Sequence, residues 1–452
     1  MNARSWRLRG AALVLLGVLL ALAGCSTVQP PPAPPSYTAT QLLALRPADL
    51  QWPATSDAGE QAQREADLAR LRSGLALPDG PERLAALPGL LDLAAHYDTE
   101  IDTARPMLLA ALPNLPALDA NTQRALLTAA HTLYPQEAAP LVEPLLPQLP
   151  ETKPFAIAAY TLLAARVPGV EARLRERIPQ QFPQWRDDAR LTALMQRLDS
   201  AAPQHPPLAE LLAAPLRPGY PVVFSLQRPG RQHIGLALVR APDGRFLREA
   251  NGELLAIPQL ALARSGLPGT ITNGNTPQGL FTIVGSSVAA SNPTIGPTPF
   301  LHSKLPIEAT VAEFEHATRS EPWTEATYDS FLPPSWQGYA PFKEAWLAGR
   351  AGRDEILAHG SVVRTEAYHP AARFLPGTPS AGCLVAPERW DASTGRLLSS
   401  QQLRLAQAYA GVATESLAGY LVVVEVDAAD GPVTPGEALA WVQAAEALRP
   451  AR

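Results

Sequence analysis

The chain has 452 residues, a formal net charge of −5 and only two cysteines. That length is enough for two or three domains, each able to bury a core without disulfides. The mild negative balance gives no reason to expect a nucleic-acid partner.

Arg4, Arg7 and Arg9 form a positive N-terminal region, Gly10 to Ala21 is almost wholly apolar, and Leu22-Ala23-Gly24-Cys25 closes the run. Such a run falls short of the roughly 20 residues that span a bilayer. It reads as a targeting segment to be set aside before fold reasoning. It resembles the signal peptide of a bacterial lipoprotein, which implies removal of residues 1–24 and acylation of Cys25 as the mature N-terminus. Several acyl chains on one residue anchor stably where a single chain is marginal. Ser26, rather than Asp, follows the cysteine, and by the same resemblance this implies an outer-membrane protein facing the periplasm. Residues 25–40 read as a Pro-rich tether, with five prolines between Gln29 and Ser36 holding an extended backbone. No later apolar run is long enough to cross a membrane.

Residues 41–205 are rich in Leu, Ala and Pro at helical spacing. Three segments look alike: Leu90 to Tyr97, Leu126 to Leu133, and Ala156 to Leu163. His96 and His131 stand 35 residues apart, and Tyr160 follows 29 later. Each segment precedes a Pro-containing break and a second apolar run, the pattern of stacked helical hairpins. Such an array offers a surface for a protein partner. The recurring histidines read as packing features of a repeated helix face rather than metal ligands.

The period changes after Pro206-Pro207. Pro221 to Leu226 and His233 to Val239 read as strands, Asp243-Gly244 as a hairpin turn, Leu254 to Ile257 and Gly419 to Val426 as further strands, and Pro435 to Leu448 as a closing helix. The expected class is therefore α+β, a helical-hairpin repeat domain followed by a mainly β domain over residues 215–430, with a C-terminal helix in 431–452. Residues 291–357 read as an insertion carrying Phe300, His302, Trp323, Tyr328, Phe331, Trp336, Tyr339, Phe342 and Trp346. Two roles fit it: a lid or glycan-facing platform, or a small satellite core.

With Cys25 acylated, Cys383 is left as a free thiol. A thiolate is the reactive form of cysteine, and a histidine in reach can generate it. Gly360 and Gly382 allow tight turns beside the histidine and the sulfur, and the N–H groups around Gly382 and Cys383 offer an oxyanion hole. Three elements, in this order, carry a resemblance to the murein L,D-transpeptidase catalytic domain. They are Asn275-Thr276-Pro277-Gln278-Gly279-Leu280-Phe281-Thr282-Ile283, His359-Gly360-Ser361, and Ser380-Ala381-Gly382-Cys383-Leu384. The resemblance spans about Pro221 to Val426. It implies Cys383 as nucleophile, His359 as base, Ser380 shaping the nucleophile loop, and Gly360 or Ser361 orienting the histidine. The implied reaction needs no metal or cofactor: sulfur attacks the L-centre carbonyl of a peptidoglycan stem peptide, and an amine captures the thioester. Two positions depart from the family pattern, Ala381 where a histidine is usual and Val385 where an arginine is usual. Arg373 or Arg389 is then the candidate for the substrate carboxylates. His369 is a rival base or a substrate contact, and His359 is preferred for its Gly-Ser context.

Two other functions compete with transpeptidation. Water as acceptor would make the protein a peptidase or amidase of stem peptides or protein–wall links. A degenerate β-domain would leave a scaffold lipoprotein. Cys25→Ala is expected to abolish acylation and release the protein from the outer-membrane fraction, or trap it as precursor. Membrane fractionation checks this, and unchanged co-sedimentation would refute the anchor.

Overall fold

Short polar side chains start the helices of the first half. Ser56 Oγ accepts from the Gly59 N–H at 3.1 Å, and Asp119 Oδ1 from the N–H groups of Asn121 and Thr122. These bonds satisfy donors that a first helical turn leaves unpaired. The computed structural model describes residues 36–199, 205–289, 295–318, 321–361 and 380–449. Cys25 and the signal segment, most of the tether, His369 and Arg373 lie outside the described residues.

The helical region comprises α1 (Ala39–Ala44), α2 (Asp57–Leu75), α3 (Pro81–Tyr97), α4 (Ile101–Ala111), α5 (Ala120–Leu133), α6 (Pro135–Val142), α7 (Thr152–Ala164), α8 (Val170–Gln181), α9 (Ala189–Asp199) and α10 (Leu208–Ala213). The three similar segments fall in α3, α5 and α7, each followed by a partner helix, α4, α6 and α8. Helix α5 packs on α3 and on α7. Pro113 and Pro116 after α4, and Pro144 and Pro147 after α6, sit in matching 3-10 turns, where φ near −65° suits proline. The two histidines occupy the last turns of α3 and α5, but their surroundings differ. His96 is exposed, whereas His131 is largely covered and its Nδ1 is buried without a partner. The expected equivalence of the two histidines is therefore not found. Helix α5 is enclosed by α3, α7 and the loop carrying Ser265, whereas α3 packs on α2, α4 and α5 and meets that loop through the ion pair of Asp92 with Arg264.

The described residues form eleven strands, of which β2, β3, β4, β5 and β11 meet the sequence expectation: β1 (Ser36–Tyr37), β2 (Val222–Gln227), β3 (Gly235–Arg240), β4 (Ala256–Gln259), β5 (Gly279–Ala289), β6 (Gly296–Lys304), β7 (Leu357–Gly360), β8 (Leu384–Ala386), β9 (Glu388–Trp390), β10 (Leu397–Ser400) and β11 (Gly419–Glu425). Strands β9 and β10 form a separate ribbon. The remaining sheet is mixed, in the order β4-β3-β2-β11-β5-β6-β7-β8, with β1 against the far half of β5. Its two ends also meet: Leu260, just past β4, exchanges both main-chain bonds with Val385 of β8 at 2.9 Å each. Residues of all eight strands, such as Val223, Ala237, Ile257, Phe281, Leu301, Ala358, Leu384 and Leu421, share one core. Leu405 and Tyr409 of a helix at Gln401–Ala410 complete it.

Two boundaries shift from the sequence expectation. Residues 36–56 belong to the β half: β1 pairs with Ser286 and Ser287, Ala39 and Leu42 are buried in the sheet core, and Gln51 bridges Arg396. Residues 36–40 were expected in the tether and 41–56, helical locally, in the helical region, yet the apolar side chains pack on the sheet core and on Trp390, Leu397 and Leu403. The insertion also begins later, because Gly296–Lys304 is the interior strand β6. Pro297 and Pro299 disguise it. They precede the short stretch, Leu301 and His302, that bonds to β7, so their missing N–H groups remove no bond on that side. The aromatic residues make neither lid nor satellite. Tyr328, Phe331, Trp336, Phe342 and Trp346 are buried with Phe224, Leu280 and Tyr420 on the outer face of the sheet, in one core with the C-terminal helix Pro435–Ala447.

The two halves share a core as well. Leu267 and Ile271, from the loop between β4 and β5, are fully buried among the leucines of the helical region. Ile271→Ala is expected to lower the unfolding free energy by about 2–5 kcal/mol, read as a lower urea midpoint.

Candidate active site at Cys383

Strands β7 and β8 run in parallel, pairing Ala358 with Leu384, His359 with Val385 and Gly360 with Ala386. Side chains alternate along a strand. Ala358, Leu384 and Ala386 enter the core, so His359 and Val385 point to the outer face, as does Cys383 in the same alternation. The fold thus brings the candidate nucleophile and the candidate base to one face. Their hydrogen bonds, however, run elsewhere. Cys383 Sγ donates to the Glu355 carbonyl at 3.6 Å, and His359 Nδ1 bonds the Gly360 carbonyl at 2.9 Å. A direct thiol–imidazole bond would require the thiol to leave the Glu355 carbonyl.

The histidine's state follows from its partner. A carbonyl only accepts, so Nδ1 carries the hydrogen and Nε2 holds a lone pair. Burial lowers the imidazole to about 4, and the Gly360 carbonyl only partly offsets this. The ring is therefore neutral and in the base form at neutral pH. Burial pushes the Cys383 thiol up. The Leu357 N–H and the Arg353 guanidinium pull it back down, and the Glu355 carboxylate pushes it up further.

The nucleophile loop is locked by hydroxyls. Ser380 Oγ donates to the Cys383 carbonyl and accepts from the Gly382 N–H, both at 2.8 Å. Ser380 thereby ties together the main chain of Gly382 and Cys383. The Gly382 N–H is already engaged and is not available to an oxyanion, which corrects the expectation from sequence. Gly382 itself has φ +117°, where a side chain is strained. Thr276 Oγ1 donates to the Gly382 carbonyl at 2.9 Å, and Asn275 Oδ1 accepts from the Ala263 N–H at 2.8 Å. The Asn275-Thr276 segment, read as a strand entry, is thus a buttress of the nucleophile loop.

Gly360 is required for a different reason. A Cβ there would overlap the carboxyl group of Glu388, which is 1% exposed. Ser400 Oγ donates to Glu388 Oε1 at 2.7 Å, and burial pushes this carboxyl up to about 8 against the hydrogen bonds that oppose it. Ser361 is fixed through its main chain: its N–H donates to Ala386 O at 2.9 Å and its carbonyl accepts from Trp390 Nε1 at 3.0 Å. The contact that orients His359 is the Gly360 carbonyl. Arg389 stands exposed on β9. Val385, at the place of the family's arginine, is 2% exposed and closes the sheet on Leu260.

Sequence reasoning missed two residues here. Arg353 lies buried beneath Gly382, and nothing in a single sequence tells which arginine is buried. His302 pairs with Leu357 across β6 and β7, which puts a second histidine on the face of His359 and Cys383. The alternation Phe300, His302, Lys304 was its signal, hidden by the prolines of β6. Among the described residues, no group of three or more His, Cys, Asp or Glu is placed to hold a metal, and no helix is long and apolar enough to cross a membrane. Comparison with protein-family models, with curated proteins and with solved structures gives no match.

Glu388 makes stability depend on pH. Its folded value of about 8 exceeds the ordinary 4.5. Between those values the native state holds a proton that the unfolded state lacks. This stabilisation is full below pH 4.5 and is lost as pH rises through about 8. His359 and His131, both lowered to about 4, act oppositely, adding stability as pH rises from about 4 towards 6.5. Glu388→Gln is expected to remove only the decline between pH 4.5 and about 8, read as melting temperature against pH beside the parent protein. An unchanged decline would refute the protonated carboxyl.

Proposed function

We propose that the protein is a cysteine acyltransferase of the L,D-transpeptidase type, acting on peptidoglycan stem peptides from a lipid anchor at Cys25. The reading is supported chiefly by one observation: the three resembling elements converge on a single sulfur. The Thr276 hydroxyl, the Ser380 hydroxyl and the His359 strand all bear on the Cys383 loop. In this reading Sγ passes its proton to His359 Nε2 and attacks the L-centre carbonyl, forming a C–S bond. The terminal D-residue then leaves as an amine, taking the proton from the imidazolium. An acceptor amine attacks the thioester and gives up a proton to His359 Nε2, the C–S bond breaks, and the departing thiolate takes that proton back.

Val385 favours a second reading, hydrolysis. The family's usual cation after the nucleophile is replaced by a buried valine committed to sheet closure. Position 385 itself supplies no charge to hold an acceptor carboxylate, and in this reading water completes the cycle instead.

One assay separates these. Purified protein without its lipid is incubated with tetrapeptide muropeptides, and the products are weighed by mass spectrometry. Transfer adds the acceptor's mass, whereas hydrolysis adds only water after loss of the terminal residue. Cys383→Ala is expected to abolish both products, and His359→Ala to slow turnover by about 10²–10⁴-fold. Turnover by the Cys383→Ala protein at the parent rate would refute the nucleophile.

A further inference from the structure

Arg353 is 5% exposed and lies directly against the nucleophile loop, because a Cβ on Gly382 would overlap its Nη2. Its hydrogen bonds run to three main-chain carbonyls: Nη1 to Asn275 O at 2.7 Å and to Gly269 O, and Nη2 to Gly274 O. Carbonyl dipoles solvate a guanidinium but do not cancel its charge. Glu344, from the helix Glu344–Arg350, is the nearby acid. Its oxygens accept from the N–H groups of Gly269 and Gln278 at 2.7 and 3.0 Å, and burial raises its own proton affinity. Cys383 follows Gly382 directly, and the positive charge of Arg353 favours its sulfur as thiolate.

We infer that Arg353 is the buried counter-cation of the Cys383 thiolate, a positioning residue that clamps the nucleophile loop and supplies the charge that makes the sulfur ionisable. When the S–H bond breaks, the proton passes to His359 Nε2 or to a base in solvent. The electron pair stays on sulfur, within the field of the guanidinium. The other groups facing this pair are Glu355, which opposes ionisation of the thiol, Asp354, which attracts the guanidinium, the neutral His359 on β7, and His302 on β6. None of them places a cation against Gly382. Arg353 also unites two tasks, since the carbonyls it holds belong to the loop whose Leu267 and Ile271 sit in the helical core.

The test is the pH profile of Cys383 alkylation by iodoacetamide in the full-length protein, with the adduct quantified on the Cys383 peptide so that Cys25 does not contribute. Arg353→Gln keeps hydrogen-bond donors without charge, and Arg353→Lys keeps the charge with fewer directed donors. The expected result is a midpoint about one pH unit higher for the Gln variant, hence about tenfold slower alkylation at pH 7, with an unchanged alkaline plateau. The Lys variant keeps the parent midpoint. A merely structural clamp would instead move the plateau in both variants and leave the midpoint in place, which would overturn the inference. A second measurement needs no variant. On the parent protein the ratio of iodoacetate to iodoacetamide rates at Cys383 should exceed that of an unfolded peptide spanning residues 380–386, because a nearby cation favours the anionic reagent. An equal or lower ratio overturns the inference. Both readouts concern the thiol alone, so their failure leaves the muropeptide assay to decide acyl transfer separately.

Discussion

A guanidinium held in a nest of carbonyls sits at the centre of this molecule. Arg353 bonds the loop that carries Gly269, Gly274 and Asn275, and the next residue of that loop, Thr276, bonds the carbonyl of Gly382. Hydrogen bonds to a charged group contribute about 1.5–3 kcal/mol each, more than neutral ones. Without the arginine, the carbonyls of Gly269, Gly274 and Asn275 would lose this charged donor, and the loop one of its ties to the sheet. The same loop inserts Leu267 and Ile271 into the helical core. The helical half is therefore part of the scaffold that sets the sulfur's position, rather than a separate module joined by a linker.

Burial acts on the two partners in opposite directions with one outcome. It raises the thiol and lowers the imidazole, so the resting proton stays on sulfur and both groups are neutral. A thiolate–imidazolium pair, the usual activated state of a cysteine–histidine site, is disfavoured here at rest. The Leu357 N–H and Arg353 supply the opposing pull. Glu388 follows the same rule from the inner face of the sheet, remaining protonated where it packs on Gly360. Low exposure thus keeps three ionisable groups uncharged within a few residues of β7 and β8.

Much of this arrangement was legible in the sequence, and the reasons differ by element. Strands β2, β3, β5 and β11 announced themselves through runs of Val, Ile, Leu and Phe bounded by Gly and Pro. The paired helices were visible because their apolar spacing recurs. The place of Ser380 beside Gly382 and Cys383 was readable because hydroxyl, glycine and cysteine follow one another and a local bond closes over such short spacing. What escaped depended on contacts distant in sequence. Strand β6 was hidden by Pro297 and Pro299, whose cost depends on whether a neighbouring strand is there to bond. Residues 41–56 were assigned to the wrong half because α1 has an ordinary helical pattern, and only tertiary packing decides what it covers. The engagement of the Gly382 N–H and the burial of Arg353 likewise rest on partners far along the chain.

The bonds between Leu260 and Val385 carry a consequence for molecular recognition. An open sheet offers its outer strand as a template, and many peptide-binding domains capture an extended ligand by adding it there as one more strand. Here the strand beside the reactive sulfur already has a neighbour on each side, β7 and the segment after β4. Among the described residues, β8 thus offers no vacant row of main-chain donors and acceptors to an added strand. A peptide approaching Cys383 must lie across the strands and be read by side chains and loops, so selectivity will depend on residue chemistry at the outer face more than on the ability of a ligand to extend.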